Sequence, residues 1–310
     1  MPELPEVETI RRQLAPLVEG RELRSMEILD ARWCRPLVPE EISRLLVGRR
    51  IERLGRRGKY LLWTFSGDVH LAQHLRMTGA VLSDPDPEPA HTRVRIELGP
   101  APRGAEAGAR RVRRLAIVDP RRFGTGEPLL GSEALDEFFS ARLGLEPFDQ
   151  AFTVAHLRAT IKGRTAPIKA LLLDQRRIAG VGNIYADEAL FRAGIHPRRR
   201  AGSLSADQCT RLRASLIDAL SAGLDARGAT IDDFRHVDGV RGSFQDQFLV
   251  HLREGEPCGV CASTIVKMVV AGRGTYVCET CQPRPRGARR ALKPRAARPG
   301  DRPRRRPGPL

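Results

Sequence analysis

Cys258, Cys261, Cys278 and Cys281 fall in the pattern C-x2-C-x16-C-x2-C, and no other feature of the 310 residues constrains the fold as much. Two thiolate pairs of this spacing close on one tetrahedral zinc ion, with the span between them long enough for a β-hairpin. Four thiolates fill the coordination sphere, so the zinc (Zn²⁺, one ion) is expected to be structural. Two disulfides would need an oxidising compartment. The N-terminus, MPELPEVE, is acidic and lacks the apolar segment of a signal peptide. No apolar run reaches the ~18 residues of a membrane span. A cytoplasmic protein without membrane attachment is expected, with Cys34 and Cys209 as ordinary buried thiols.

Upstream of the cysteines the texture changes twice. Val7, Ile10, Leu14, Leu17 and Val18 recur at helical spacing behind Pro5 and Glu6, which suit a first turn. From Gly20 to Asp119 short β-branched runs predict strands at 23–31, 60–65, 69–75, 92–98 and 113–118, with Ser66-Gly67-Asp68 as a hairpin turn. The low-complexity stretch Gly99–Arg111 reads as a mobile hairpin tip. After Gly131 the pattern is helical, at 132–143, 153–161, 168–174, 184–193 and 206–226, the last opened by a Ser205/Gln208 capping box. From Gln282 onward the chain is Pro/Arg-rich with almost no apolar residues, and reads as a disordered tail. The expected fold class is α+β and multidomain, with domains at 2–131 (β-rich), 132–243 (helical), 244–282 (zinc module) and 283–310 (basic tail).

The net charge is +16, which suggests an anionic partner. Gln282–Leu310 holds eleven basic residues against one acid, so ten of those charges lie in the tail. Charge alone is therefore weak evidence.

Chemistry enters with the N-terminus. Removal of Met1, which precedes a small residue, would expose the secondary amine of Pro2. An α-amino group has a pKa of ~7.7–8.0, so roughly a tenth is free base at neutral pH, far more than for an ordinary lysine. Its attack on a sugar aldehyde carbon gives a permanently cationic iminium, an electron sink for elimination. Glu3 and Glu6 lie close enough in sequence to transfer protons. Three further motifs each have a bland reading alone. Gly180-Val181-Gly182-Asn183 lets backbone approach a ligand, with Asn183 able to cap the next helix. Met77 in HLRMTG, with Arg121 and Phe123 in DPRRFG, sets flexible and aromatic side chains beside Arg at strand ends, as in proteins that unstack DNA.

Together with RRGKY at 56–60 and GRGTYVCETC at 272–281, these motifs resemble those of formamidopyrimidine-DNA glycosylase, a bifunctional base-excision repair family, across about nine-tenths of the chain. The resemblance implies an N-terminal β-sandwich with flanking helices and a C-terminal helix–two-turn–helix domain carrying a zinc-finger hairpin. It implies Pro2 as the Schiff-base nucleophile, Glu3 as the acid of base release, Lys59 as proton donor for β-elimination and Arg273 for δ-elimination. His91, Arg121, Arg164 and Asn183 match DNA-contacting positions. Met77, Arg121 and Phe123 match the side chains that fill the gap left by a flipped nucleotide, and Thr230–Phe244 matches the lesion-covering loop. The implied partner is damaged double-stranded DNA, bound by a monomer in a bacterial cytoplasm and its nucleoid.

Arg93 and Ser243 depart from the pattern: a second His and an aromatic residue are common there. Leu4 in PELPE favours oxidised purines over the oxidised pyrimidines of the related endonuclease VIII, which usually has Gly at that position. A non-catalytic DNA-binding zinc protein would have no need of Pro2, Glu3, Glu6 and Lys59 together.

Overall fold

A computed structural model describes residues 1–230, 237 and 241–285. Residues 286–310 of the basic tail, and residues 231–236 and 238–240 of the expected lesion-covering loop, lie outside the described residues.

Helix α1 (Leu4–Val18) begins where expected, with Pro5 in its first turn. Strand β1 (Leu23–Ile28), helix α2 (Pro39–Leu46) and strands β2 (Ile51–Arg57), β3 (Tyr60–Phe65), β4 (Val69–His74), β5 (Ala80–Ser83) and β6 (Thr92–Leu98) follow. A single-turn helix α3 (Ala107–Arg111) precedes β7 (Arg114–Val118) and β8 (Thr125–Leu130). The strands form two four-stranded antiparallel sheets, ordered β1-β6-β7-β5 and β2-β3-β4-β8. Their inner faces close on one core with α1: Val7, Ile10 and Leu14 meet Leu54, Trp63, Phe65, Val94 and Ile117. The expected β-sandwich is the observed one.

Strand alternation decides which face is covered. In β6, Thr92, Val94, Ile96 and Leu98 are buried while Arg95 and Glu97 are exposed, as for a sheet with one wet face. Every residue of β4 is buried, because α4 (Gly131–Ser140) covers its outer face with Phe138 and Phe139. The sequence reading missed α2, β2, β5 and β8. Strand β2 is an edge strand in which only Ile51 and Leu54 are fully buried, so its charged residues hide the alternation. Helix α2 is only eight residues long and sits among strands.

The second half is helical as expected: α5 (Val154–Ile161), α6 (Ile168–Leu173), α7 (Asn183–Arg192) and α8 (Ala206–Asp225). The Ser205/Gln208 capping box opens α8. These helices enclose their own core, and Leu4 of α1 belongs to it. Helix α1 is thus shared between the two cores. Hairpin β9 (Val266–Val270) and β10 (Arg273–Val277) completes the described chain. No helix among the described residues is long and apolar enough to cross a membrane. Cys34 and Cys209 are each 1% exposed and unpaired.

Gly99–Arg111 is not the loose tip the composition suggested. Arg21, itself buried, donates to the carbonyls of Gly99 and Ala109 from across the sandwich edge, and Ala109 is buried. Truncating Arg21 leaves both carbonyls without a donor. Arg21→Ala should therefore lower stability by about 3 kcal/mol, read as a fall in the urea midpoint at unchanged slope.

Candidate active site

The turn between α6 and α7 receives the N-terminus of α1. Leu4 N–H donates to Gly180 O at 3.0 Å, and Gly180 has φ +86°, where a Cβ would stand 2.6 Å from the Leu4 side chain. Leu4 is fully buried in this joint. It therefore acts through packing, not as a reader of the base.

Glu3, 2% exposed, turns its carboxylate onto the start of α7, accepting from Ile184 N at 2.9 Å and Tyr185 N at 3.5 Å. The unpaired N–H groups and dipole of the helix N-terminus favour an anion there. Glu3 therefore supplies the cap expected from Asn183, whose Nδ2 instead donates to Gly274 O on the zinc hairpin at 3.0 Å. A Cβ on Gly182 would lie 2.3 Å from the Glu3 carboxyl carbon, so the approach requires glycine.

Glu6, expected among the proton-transfer groups, does not line the cavity. It is buried, and its oxygens accept from Glu3 N (2.8 Å), Tyr185 Oη (2.7 Å) and Ala229 N (2.8 Å). Burial, then the neighbouring Glu3, raises its pKa above the usual carboxylate value. Phe244 stacks on Tyr185 at 5.1 Å and braces the same joint. Glu6 is placed to hold Glu3, not to meet substrate.

A cavity of about 520 Å³ opens beside this joint, lined by Met1, Glu3, Lys59, His74, Met77, Asn183, His251 and Arg273 among others. Pro2 is buried between Met1 and Glu3. Its nitrogen is peptide-bonded to Met1, so loss of Met1 would leave a free amine at the cavity wall. Lys59 stands at the β2–β3 hairpin tip. Burial depresses its pKa, which Glu3 and Glu6 partly oppose. The tip is fixed by Glu146, which accepts from Gly58 N (2.6 Å) and pairs with Arg56, itself paired to Glu8 of α1. Desolvation pushes His74 down to about 3, so the ring is neutral at physiological pH.

Arg273 follows the two-residue turn Ala271-Gly272 of the zinc hairpin and is exposed to the cavity. The hairpin is set by a buried chain that sequence reading missed. Lys169 Nζ donates to Asp187 Oδ1 (2.6 Å) and Thr275 Oγ1 (2.8 Å), and Asp187 Oδ2 meets His251 Nδ1 at 2.9 Å. Glu188 accepts three successive N–H groups from Leu249 to His251. Acidic residues on a helix gave no signal that they would be buried as anchors.

The four cysteine Sγ atoms lie within 4.8 Å of one another, with Cys258–Cys281 at 3.8 Å and Cys261–Cys278 at 3.4 Å. A tetrahedral ZnS4 centre with ~2.3 Å bonds has S···S edges near ~3.8 Å, whereas a disulfide needs ~2.05 Å. The set fits one structural zinc.

The three side chains expected to fill the gap meet on one surface. Arg121 Nη1 donates to Met77 Sδ at 3.4 Å, and its guanidinium lies 4.9 Å from the Phe123 ring centre. Phe123 is 49% exposed, unusual for so large an apolar side chain. Both turns hang on the buried Asp119 carboxylate, which accepts from Thr78 Oγ1 and from the N–H groups of Arg121, Phe123 and Gly124. Arg93, the departure from the usual His, donates to Asp119 O at 2.9 Å. His91 is exposed beside this turn, its carbonyl accepting from Asp119 N. Arg164 is exposed on the helical domain after α5, apart from the cavity. Ser243, the other departure, is exposed and bonds Ala226 O through its N–H.

Residues 1–126 match the family model of the Formamidopyrimidine-DNA glycosylase N-terminal domain, 143–235 that of the Formamidopyrimidine-DNA glycosylase H2TH domain, and 255–284 the zinc finger found in FPG and IleRS. Formamidopyrimidine-DNA glycosylase of Bacillus licheniformis is 42% identical over 286 residues, covering 91% of this chain and 99% of its own. The chain belongs to the formamidopyrimidine-DNA glycosylase family. Among solved structures, MutM (Fpg) of Thermus thermophilus superposes with a TM-score of 0.79 at 43% identity, covering 91% of this chain and 98% of its own. Lactococcus lactis Fpg in complex with abasic-site DNA gives 0.81 at 32% identity, covering 91% and 100%.

Two outcomes follow from this geometry. Gly182→Ala should displace the Glu3 carboxylate and lower single-turnover base release by about a hundredfold, with zinc content unchanged by metal analysis. Cys258→Ser should lose the zinc and loosen the hairpin bearing Arg273. DNA affinity in a titration should fall, while the urea transition of the β-sandwich remains.

Proposed function

We propose that the cavity between α1, the β2–β3 tip and the zinc hairpin receives an oxidised purine nucleotide turned out of duplex DNA. The protein acts there as a bifunctional glycosylase and AP lyase. The observation that carries this reading is the convergence of Met1, Glu3, Lys59 and Arg273, from three separate parts of the chain, on one cavity, with Pro2 peptide-bonded to the first two.

A base stacked in a duplex cannot be attacked at C1′, so extrusion at a cost of a few kcal/mol comes first. Met77, Arg121 and Phe123 offset the lost stacking, while His91, Arg164 and Asn183 hold the backbone on either side. The Pro2 amine then attacks C1′ as the C1′–N bond to the base breaks, with Glu3, in its protonated form, giving its proton to the departing base. Glu3 takes up the amine proton and passes it to O4′ as the C1′–O4′ bond opens, which leaves the iminium. The iminium acidifies the C2′ proton. Its loss expels the 3′-phosphate, with Lys59 as donor, and a second elimination assisted by Arg273 expels the 5′-phosphate. Hydrolysis of the imine frees Pro2. The structural zinc contributes folding free energy to the hairpin and no chemistry. A bacterial DNA substrate supports a cytoplasmic enzyme associated with the nucleoid, and a site built from one chain supports a monomer.

Borohydride trapping on a duplex with one 8-oxoguanine opposite cytosine tests the reading. Met1-processed protein should give the covalent adduct, and Pro2→Gly or an uncleaved N-terminal extension should reduce it severely. Trapping of the extended protein at the native rate would remove Pro2 from the mechanism. Thymine glycol in the same duplex should be excised more slowly, and faster excision would favour the endonuclease VIII reading. Because burial lowers the pKa of Lys59, strand cleavage at an abasic site should fall as pH rises, at a pH below the ~10.4 of a free lysine. Lys59→Ala should lack that alkaline limb.

A further inference from the structure

We infer that Met77 is an oxidation site, at which conversion of the thioether to the sulfoxide turns off damaged-base extrusion. The inference rests on the gap-filling role proposed above for Met77, Arg121 and Phe123.

The chain has four methionines. Met1 is the residue to be removed, and Met26 and Met268 are buried at 6% and 8% exposure. Met77 is the one internal methionine that is not buried among the described residues. It is half-buried and lines the cavity, and oxidation of methionine follows access to the sulfur. The reactive oxygen species that oxidise guanine in DNA also oxidise thioethers, so this protein meets the oxidant where its substrate is made.

The local contacts give the modification a consequence. The Met77 sulfur now accepts a weak hydrogen bond from Arg121 Nη1 at 3.4 Å, while the Arg121 guanidinium also rests near the Phe123 ring. A thioether is a weak acceptor and an adaptable apolar filler. Hydrogen peroxide would transfer one oxygen atom to the sulfur lone pair. The O–O bond breaks, sulfur is oxidised by two electrons, and peroxide is reduced to water. The S–O group created is polar and a strong acceptor facing a guanidinium 3.4 Å from the sulfur. It holds Arg121 against Met77, away from the base stack, and puts a polar group where an apolar one must enter the duplex.

The test uses the full-length, Met1-processed, zinc-loaded protein. It is treated with hydrogen peroxide, desalted into dithiothreitol to reverse thiol oxidation, and assayed for zinc content. Peptide mass spectrometry locates the sulfoxide. Single-turnover excision of 8-oxoguanine should fall about tenfold in step with Met77 sulfoxide. Cleavage at a preformed abasic site should fall less. Methionine sulfoxide reductases A and B together should restore excision, and excess lesion-bearing duplex present during treatment should protect Met77. Met77→Leu, compared with its own untreated sample, should lose no excision activity on treatment. Full activity with Met77 oxidised, or an equal treatment loss in Met77→Leu, would overturn the inference. The gap-filling role is tested separately by Met77→Ala. If that variant extrudes the base normally, judged by 2-aminopurine fluorescence beside the lesion, the role itself fails. If Met77→Ala is impaired but the sulfoxide is active, only the modification fails.

Discussion

The structure turns on one buried carboxylate at the start of a helix. Glu3 caps α7 from a different domain, so the chain's N-terminus and the helical domain are joined by a carboxyl group that accepts from helix N–H groups. The joint needs Gly182 for space, Gly180 for its left-handed backbone and Leu4 to fill the second core. It also needs Glu6, held by Tyr185 and Ala229, to fix the backbone of Glu3. An N-terminal residue is ordinarily the freest part of a chain. Here it is clamped, and a reaction that uses the terminal amine requires that.

The same economy governs the other functional groups. Lys59 is held by a hairpin tip fixed through Glu146, Arg56 and Glu8. Arg273 is held by a hairpin tied to α6 and α7 through Lys169 and Asp187. The exposed cluster of Met77, Arg121 and Phe123 hangs on Asp119. In each case a buried or half-buried charged group organises the backbone that carries the residue facing the proposed DNA site. Buried ionised groups are costly unless fully paired, and each of these anchors has several partners.

Much of this was legible in the residues. The cysteine spacing specified the zinc site because four ligands on one ion tolerate few geometries. Amphipathic spacing located α1 and α8, and alternation located β3 and β6, because long periodic segments bury one face. The sequence reading failed where burial did not follow periodicity, as in edge strand β2 and in the Gly99–Arg111 stretch anchored by Arg21. It also failed where polar residues act as anchors, as with Asp187, Glu188 and Asp119.

The sequence by itself determined the chemistry available: a removable Met1 before Pro2, carboxylates beside it, a lysine and an arginine in recognisable motifs, and a metal module. Those are properties of residue type and short spacing, which no fold can alter. Tertiary structure alone decided which groups share a cavity and which stand behind it. It set Glu6 behind Glu3, gave the cap of α7 to Glu3 instead of Asn183, and made Leu4 a packing residue. Each outcome depends on contacts between segments about 180 or more residues apart, and local pattern carries no information about such contacts.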